Sequence, residues 1–244
     1  MNVAFYSAAA GMLACQDKLD VTANNMANSN TTGYKNMEVS FQDLMYTDMN
    51  TKVEGEHKTG HGSRVGGVDS VFQQGLLERT DRPLDFAVAG KAYFAVDDGS
   101  GTTAYTRDGA FRVGLNGGIP YLTTATGGYV LDADGARIQV PVIPGTNTAD
   151  TDAVYGRIGL FVFENPSGLI QMGNNLCRPS ENSGAVVSVA SSEGNRLVSG
   201  ALEASMADTA TEMVHVIEAQ RALQMNARIV TSADEVEEMV NNLR

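Results

Sequence analysis

Both ends of this chain carry an apolar stripe at heptad spacing, and that pair of stripes constrains the fold more than any other feature. Phe5, Ala8, Met12, Cys15, Leu19, Thr22 and Met26 follow one another at intervals of 3, 4, 3, 4, 3 and 4 residues. Met213, Val216, Gln220, Leu223, Ala227 and Val230 repeat the pattern near the C-terminus. Such spacing keeps the side chains on one side of an α-helix, so each stripe predicts a helix with one face to bury. Helices of this kind order by docking rather than alone. Asn2 is suited to cap the first one. The asparagines Asn24, Asn25, Asn28 and Asn30 predict its end, because their side chains compete for backbone hydrogen bonds and tolerate the left-handed conformation. Gly33 then supplies a turn. Near the other end, Ser205 with Asp208 has the spacing of a capping box. Past Val230 the stripe slips to Ala233, Val236, Val240 and Leu243, and Ser232 with Glu235 would suit a second cap. The pattern fits one slipped helix or two helices equally.

The middle has a different period. Leu84, Phe86 and Val88 alternate with less apolar residues, as do Phe111, Val113 and Leu115, and then Ile138, Val140 and Val142. Each set predicts a half-buried strand, and Ile158 to Phe163 predicts a fuller one. Turn signals stand between them: Asp97-Asp98-Gly99, Asp108-Gly109, Asn116-Gly117-Gly118, Gly127-Gly128 and Asp134-Gly135. Strands and turns at this spacing predict hairpins in a mostly antiparallel sheet or barrel. No strand alternates with a long helix, which disfavours a doubly wound α/β fold. The expected class is α+β, with the N- and C-terminal helices paired as a coiled-coil-like stalk around a barrel-like, β-rich middle domain. The expected divisions are 1–35 (helix and Asn-rich turn), 36–79 (extended connecting segment), 80–200 (β-rich domain) and 201–244 (C-terminal helix).

Charge and cysteine content exclude several functions. The chain has 244 residues and a formal net charge of −12. An acidic surface repels phosphate backbones, so no nucleic-acid partner is expected. The longest apolar runs are far short of the roughly 20 residues that span a bilayer, so no transmembrane segment is expected. Cys15 and Cys177 allow one disulfide at most, and they read as two free thiols packed as small apolar groups. The N-terminus lacks the basic-then-apolar pattern of a cleaved signal peptide, since its first basic residue is Lys18. The chain is therefore expected to stay in the cytoplasm or to leave by a route that needs no such signal.

A search for catalytic chemistry finds none. His57 and His61 are four apart beside Glu54 and Glu56, a spacing that suits zinc on a helix. Gly55, Gly60 and Gly62 make this a loop instead, and a solvated polar loop is the plainer account. Asp132-Ala-Asp134-Gly135 resembles part of a calcium loop, but Val130 and Pro141 would then hold the first and twelfth ligand positions. Gly90-Lys91 lacks the upstream glycine of a phosphate loop, and no serine sits in a Gly-x-Ser-x-Gly elbow. His215 lies in the C-terminal helix pattern, and Asp97-Asp98 lies in a turn. No catalytic, metal or cofactor site is assigned, and the chain is not expected to be an enzyme.

The N-terminal helix is rich in small residues: Ala4, Ala8, Ala9, Ala10, Gly11, Ala14, Ala23 and Ala27. They permit close backbone approach and give one helix pair only a modest core. The remaining faces are then expected to pack on other subunits. A face that meets a different face on the next copy builds rings or open helical filaments.

Specific stretches agree with that expectation. Ala-Ala-Gly-Met-Leu13 and Val21-Thr-Ala-Asn-Asn-Met-Ala-Asn-Ser-Asn-Thr-Thr-Gly-Tyr-Lys35 resemble the N-terminal signature of bacterial flagellar axial proteins. Arg82-Pro-Leu-Asp-Phe-Ala-Val-Ala-Gly-Lys-Ala-Tyr-Phe-Ala-Val96 and Tyr105-Thr-Arg-Asp-Gly-Ala-Phe111 are similar to the start of that family's β domain. Ser199-Gly-Ala-Leu-Glu-Ala-Ser205, Glu212-Met-Val and Thr231-Ser-Ala-Asp-Glu235 resemble its closing helix. The segment from Gly114 to Gly128 departs from the family pattern. With room for one β insert, the chain resembles the basal-body rod proteins of the FlgF and FlgG type. The resemblance implies a structural subunit stacked helically with itself and with other rod or hook subunits into a torque-transmitting shaft. It implies passage as an unfolded chain through the flagellar export apparatus and residence outside the cytoplasmic membrane, in the periplasm where an outer membrane exists. The expected assembly interface is Phe5, Ala8, Met12, Leu19 and Met26 with Met213, Val216, Leu223 and Val230. Asn24, Asn25, Asn28 and Gly33 are expected to fix the helix exit. The rival readings are a secreted, self-associating surface protein of adhesin or pilus type, and a β-rich enzyme using His57 and His61.

Overall fold

The computed structural model describes residues 3–48, 57–99, 101–141, 150–191 and 194–243. Asn2, Glu54, Glu56 and Val142 lie outside them. The chain divides into two compact units, one made of Met1–Ala27, Met37–Ser70 and Ala207–Arg244, the other of Asn28–Asn36 and Val71–Met206. The architecture is α+β, with a helix at each end and an antiparallel β middle.

In the first, helical unit, the helix Val3–Ala27 runs antiparallel to the helix Thr209–Asn242. Asn25 faces Glu212, Lys18 faces Glu218 at 3.8 Å, and Gly11 lies beside Asn226. The C-terminal helix begins later than the capping-box reading placed it. Asp208 is itself the N-cap, its carboxylate accepting from the Thr211 amide at 3.1 Å and the Thr211 hydroxyl at 2.7 Å. That leaves Ser205 outside the helix, because Thr211 already supplies the donor that a short Asp side chain reaches. The helix continues unbroken through Ser232, whose hydroxyl bonds back to the Ile229 carbonyl instead of capping a new turn. The stretch 36–79, read from sequence as an extended connector, contains a hairpin of Met37–Asp43 with Ser63–Ser70. A second short pair, Tyr46–Asp48 with Lys58–Gly60, follows from it.

The second, β unit is antiparallel at every described strand pair. Its main sheet runs in the order Ile170–Gly173, Leu176–Arg178, Thr103–Thr106, Tyr93–Asp97, Tyr129–Val130, Ile119–Thr123, Arg112–Asn116. Leu160–Phe163 branches from Tyr93–Asp97 and carries Val186–Val189 on its other side. This sheet is open and branched, so the expected barrel-like closure is not what these strands form. Phe86–Gly90 pairs separately with Asn195–Ser199, and Leu77–Arg79 with Ala201–Glu203. Phe86, Phe94, Phe111, Leu122, Ile138 and Leu160 form the core and are 0–2% exposed. The Phe94 and Phe111 rings meet edge to face at 5.1 Å.

Two expected strands differ. Ile138 and Val140 are buried, but isolated bridges at Arg137 and Gln139 hold them, because the Asp134-Gly135 turn and Pro141 leave too short a run for a ladder. Phe111, Val113 and Leu115 do not share a buried face: they are 0%, 41% and 76% exposed, since their hairpin leads outward from the core. Gly117 and Gly118 turn that hairpin with φ of 61° and 83°, the left-handed pair a two-residue turn requires.

Candidate assembly interface

The helical unit encloses small side chains. Among its described residues the buried apolar ones are all alanines: Ala8, Ala14, Ala207, Ala219 and Ala233. Thr22, Asn25 and Glu212 are the buried polar ones. Of the predicted N-terminal stripe, Ala8 is buried and Phe5, Met12, Leu19 and Met26 are half-buried. Of the C-terminal stripe, Val216, Leu223 and Val230 are half-buried, but Met213 is 53% exposed. The fully buried positions of that helix are Glu212 and Ala219, each one position before the predicted stripe, and Ala233, which is on it. Small residues let the helices approach closely: a Cβ at Gly11 would stand 3.0 Å from the Asn226 amide nitrogen. Asn226 Nδ2 also lies 3.9 Å from Cys15 Sγ.

Close approach leaves much apolar surface uncovered. Tyr6 and Leu13 on one helix are exposed, as are Met213, Ile217, Met225 and Ile229 on the other. The helices also differ in length, at 25 and 34 residues, or about 38 and 51 Å at 1.5 Å per residue. With Asn25 opposite Glu212, the last turns of the longer helix extend past the end of the shorter. Val236, Met239, Val240 and Leu243 on those turns are 50–88% exposed.

Within this unit, Asn25 ties the first helix to the hairpin. Its Nδ2 donates to the Met37 carbonyl at 2.9 Å, and its Oδ1 accepts from the Met37 amide at 3.0 Å. One side chain thus satisfies both backbone groups of a residue that starts a strand. Its Nδ2 is also 3.4 Å from Glu212 Oε1, and Asn24 Nδ2 lies 3.7 Å from Met37 Sδ.

The rest of the predicted exit turn belongs to the β unit. Asn28 Oδ1 accepts from the Thr31 hydroxyl at 3.1 Å. Gly33 has φ of 68°, and its amide donates to the Glu203 carbonyl at 2.8 Å. A Cβ there would stand 2.8 Å from the Arg107 carbonyl carbon, so glycine is required on both counts. Two residues on, sequence reasoning missed a buried cluster. Glu203 is 1% exposed and lies between two cations. Lys35 Nζ donates to Glu203 Oε1 at 2.5 Å and also to the Gln73 carbonyl. Arg107 Nη1 lies 3.3 Å from Glu203 Oε2, Nη2 donates to the Gly90 carbonyl at 2.8 Å, and the guanidinium sits 4.7 Å over the Tyr93 ring. The Gly75 amide donates to Glu203 Oε1 at 2.8 Å. Burial lowers the Lys35 pKa, and its partner Glu203 opposes that shift. Burial also pushes the Tyr93 phenol up to about 12 and the Cys177 thiol up to about 11. Lys35, Arg107 and Glu203 lie far apart in sequence, and no spacing rule joins them.

The residues weighed for metal chemistry are dispersed. His57 is exposed, and His61 Nε2 lies 3.0 Å from the Thr47 hydroxyl. No group of three or more metal-ligating side chains occurs among the described residues. Cys15 and Cys177 are free thiols. No described helix is long and apolar enough to cross a membrane.

Known proteins match this chain along its length. Residues 5–35 match the family described as flagella basal body rod protein, residues 87–155 the D1 domain of flagellar hook protein FlgE/F/G, and residues 198–243 the C-terminal domain of flagellar basal body rod FlgEFG proteins. The flagellar basal-body rod protein FlgG of Bacillus subtilis is 36% identical over 97% of each chain. FlgG of Borreliella burgdorferi is 32% identical over 100% of this chain and 99% of its own. The flagellar hook-basal body complex protein FlhP of Bacillus subtilis is 31% identical over 94% of each.

Proposed function

The chain belongs to the flagellar basal-body rod protein family, and we propose from that premise that it is a structural subunit of the bacterial flagellar rod. The observation that supports a packing role is the helical unit, which fully buries only alanines among its described apolar residues and leaves many of its large apolar side chains exposed. Such a unit gains most of its stability from neighbours. Its two helices pack in coiled-coil fashion, and each added subunit covers apolar surface of those before it, so ordering is coupled to assembly. The interface residues are Phe5, Ala8, Met12, Leu19 and Met26 with Met213, Val216, Leu223 and Val230, and Asn24, Asn25, Asn28 and Gly33 set the exit from the first helix. The partners are further copies and other rod and hook subunits. The chain reaches them through the flagellar export apparatus, and it works outside the cytoplasmic membrane, in the periplasm where an outer membrane is present. Its task is stiffness under torque, and no reaction is assigned to it. Nothing among the relatives supports the adhesin reading.

Leu223→Asp tests this. Leu223 is half-buried on the C-terminal helix, and a carboxylate forced into a packed interface without a partner costs several kcal/mol. In a strain whose only copy carries the substitution, motility should be lost and the chain should be missing from isolated rods. The unfolding transition of the β unit in the full-length variant should be unchanged. Motile cells with the variant built into their rods would sink the proposal.

A further inference from the structure

The hairpin Arg112–Asn116 with Ile119–Thr123 carries an apolar face that begins in the core and ends in solvent. Directly opposed residues of an antiparallel pair share a face. Val113 therefore lies beside Leu122, and Leu115 beside Pro120. Leu122 is fully buried, Val113 is 41% exposed and Leu115 is 76% exposed. The alternation Phe111-Arg-Val-Gly-Leu-Asn116 is that of a strand with one covered face, yet no described part of this chain covers its outer half. Arg112–Asn116 is also the last strand in its sheet's order, and at the other end stands Ile170–Gly173. There Ile170 is 56% and Met172 54% exposed.

The two ends match in kind. Each is a terminal strand that presents two large apolar side chains two residues apart. They differ in sequence, so joining one end to the other end of a second molecule is a heterologous contact, which repeats into a ring or an open helix rather than stopping at a dimer. The third edge of this sheet, Val186–Val189, offers one large exposed apolar side chain, Val187, and is the poorer match. The register shift between Gln171 and Gly173 blunts the Ile170–Gly173 edge for a continuous backbone ladder. The contact is therefore made by side chains and not by an added strand.

We propose that Val113, Leu115 and Pro120 of one copy dock on Ile170 and Met172 of the next, joining the β units head to tail. This rests on the rod reading, because it needs many copies held side by side.

The test uses the full-length chain, with Cys15→Ser and Cys177→Ser as the parent, produced as the only copy in cells. Leu115→Cys and Ile170→Cys are added to it together and singly, and isolated rods are oxidised and separated without reductant. The double variant should give a ladder of disulfide-linked multimers, and each single variant should remain monomeric. Rods that contain the double variant only as monomer overturn this inference and leave the rod reading standing. Dimers from Leu115→Cys alone overturn it in favour of hairpins meeting each other. Absence of even the parent chain from rods that are otherwise complete overturns the rod reading instead. Leu115→Asp is the second probe, because an exposed position tolerates it. Its unfolding midpoint should stay at the wild-type value while its amount in rods falls at least tenfold, and an unchanged amount overturns the docking.

Discussion

The β unit and the helical unit bury opposite kinds of side chain. Phe86, Phe94 and Phe111 are fully enclosed in the first, whereas the described apolar side chains enclosed in the second are alanines. A fully buried phenylalanine contributes roughly 1.5–3 kcal/mol, at about 25 cal/mol per Å² of apolar surface, and an alanine contributes only a fraction of that. The β unit thus finishes its core within one chain. The helical unit has helices long enough for a core, but the side chains it fully encloses are small, and its large apolar residues are half-buried or exposed. Side-chain size at the seam, rather than helix length, decides how much apolar surface each unit closes within one chain.

The sharpest way to break this contrast is to remove one ring from the β core. Phe94 is 0% exposed and contacts Phe111 edge to face. Phe94→Ala should lower stability by about 3–5 kcal/mol, read as a shift in the urea midpoint of the full-length chain. Met239→Ala, a comparable loss of apolar volume on the exposed end of the C-terminal helix, should change the monomer by no more than about 0.5 kcal/mol. Equal effects at the two positions would mean that the helices are as self-sufficient as the sheet.

Alkaline titration sharpens the contrast with a smaller effect, because the strongly raised pKa values belong to the β unit. The Cys177 thiol, ordinarily at 9.0, is held up to about 11 by burial. Between those values the unfolded chain loses the proton first and binds fewer than the folded one, so stability falls as pH rises. The loss approaches roughly 2–3 kcal/mol across the interval. Tyr93 adds a fall of the same sign between 10.0 and about 12. Lys35 opposes both. Its pKa is lowered from 10.5, so in the window just below 10.5 the unfolded chain binds more protons and stability rises with pH. Cys177→Ala isolates the thiol: the variant should lose stability less steeply than the wild type from pH 9 to 11. Identical slopes would remove the thiol from the account.

The helices were legible because a heptad stripe is a local signal, readable from residues three and four apart. Even so, the C-terminal seam lies one position off the predicted stripe at its start, because packing chose Glu212 and Ala219 over the larger Met213 and the polar Gln220. Apolarity marks what a helix can bury, and in this chain much of that surface is left exposed. The Val113 and Leu115 alternation misled for the same reason: the pattern of a covered face is present, but no described residue of this chain supplies the cover. The hairpin from Met37 to Ser70 left a weak trace, since a two-stranded ribbon needs no continuous apolar run and this one is punctuated by Gly66 and Gly67. The Lys35–Glu203–Arg107 cluster was out of reach. Its charges are ordinary in sequence, and only the fold brings residues 35, 107 and 203 together. Asn25 shows the limit at a single position: its type predicted a helix end, but the residue remains helical and spends its side chain on Met37.

The smallest expected effect is at the cap of the C-terminal helix. Asp208 accepts hydrogen bonds from the Thr211 hydroxyl and amide, and these hold its carboxyl below its ordinary pKa of 3.8. Because the folded value is depressed, the cap's contribution is present above 3.8 and is lost as pH falls through the lower, folded value. Asp208→Ala removes the acceptor at every pH. Amide exchange at Thr211 should then be faster than in the wild type at neutral pH, and the two proteins should converge as acid protonates the wild-type cap. The urea midpoint should barely move, because a frayed first turn uncovers none of the rings that hold the β unit together. If Asp208→Ala instead shifted that midpoint as far as Phe94→Ala, the start of this helix would be part of the same cooperative core, and the division between a finished unit and one awaiting neighbours would fail at the point where the helix begins.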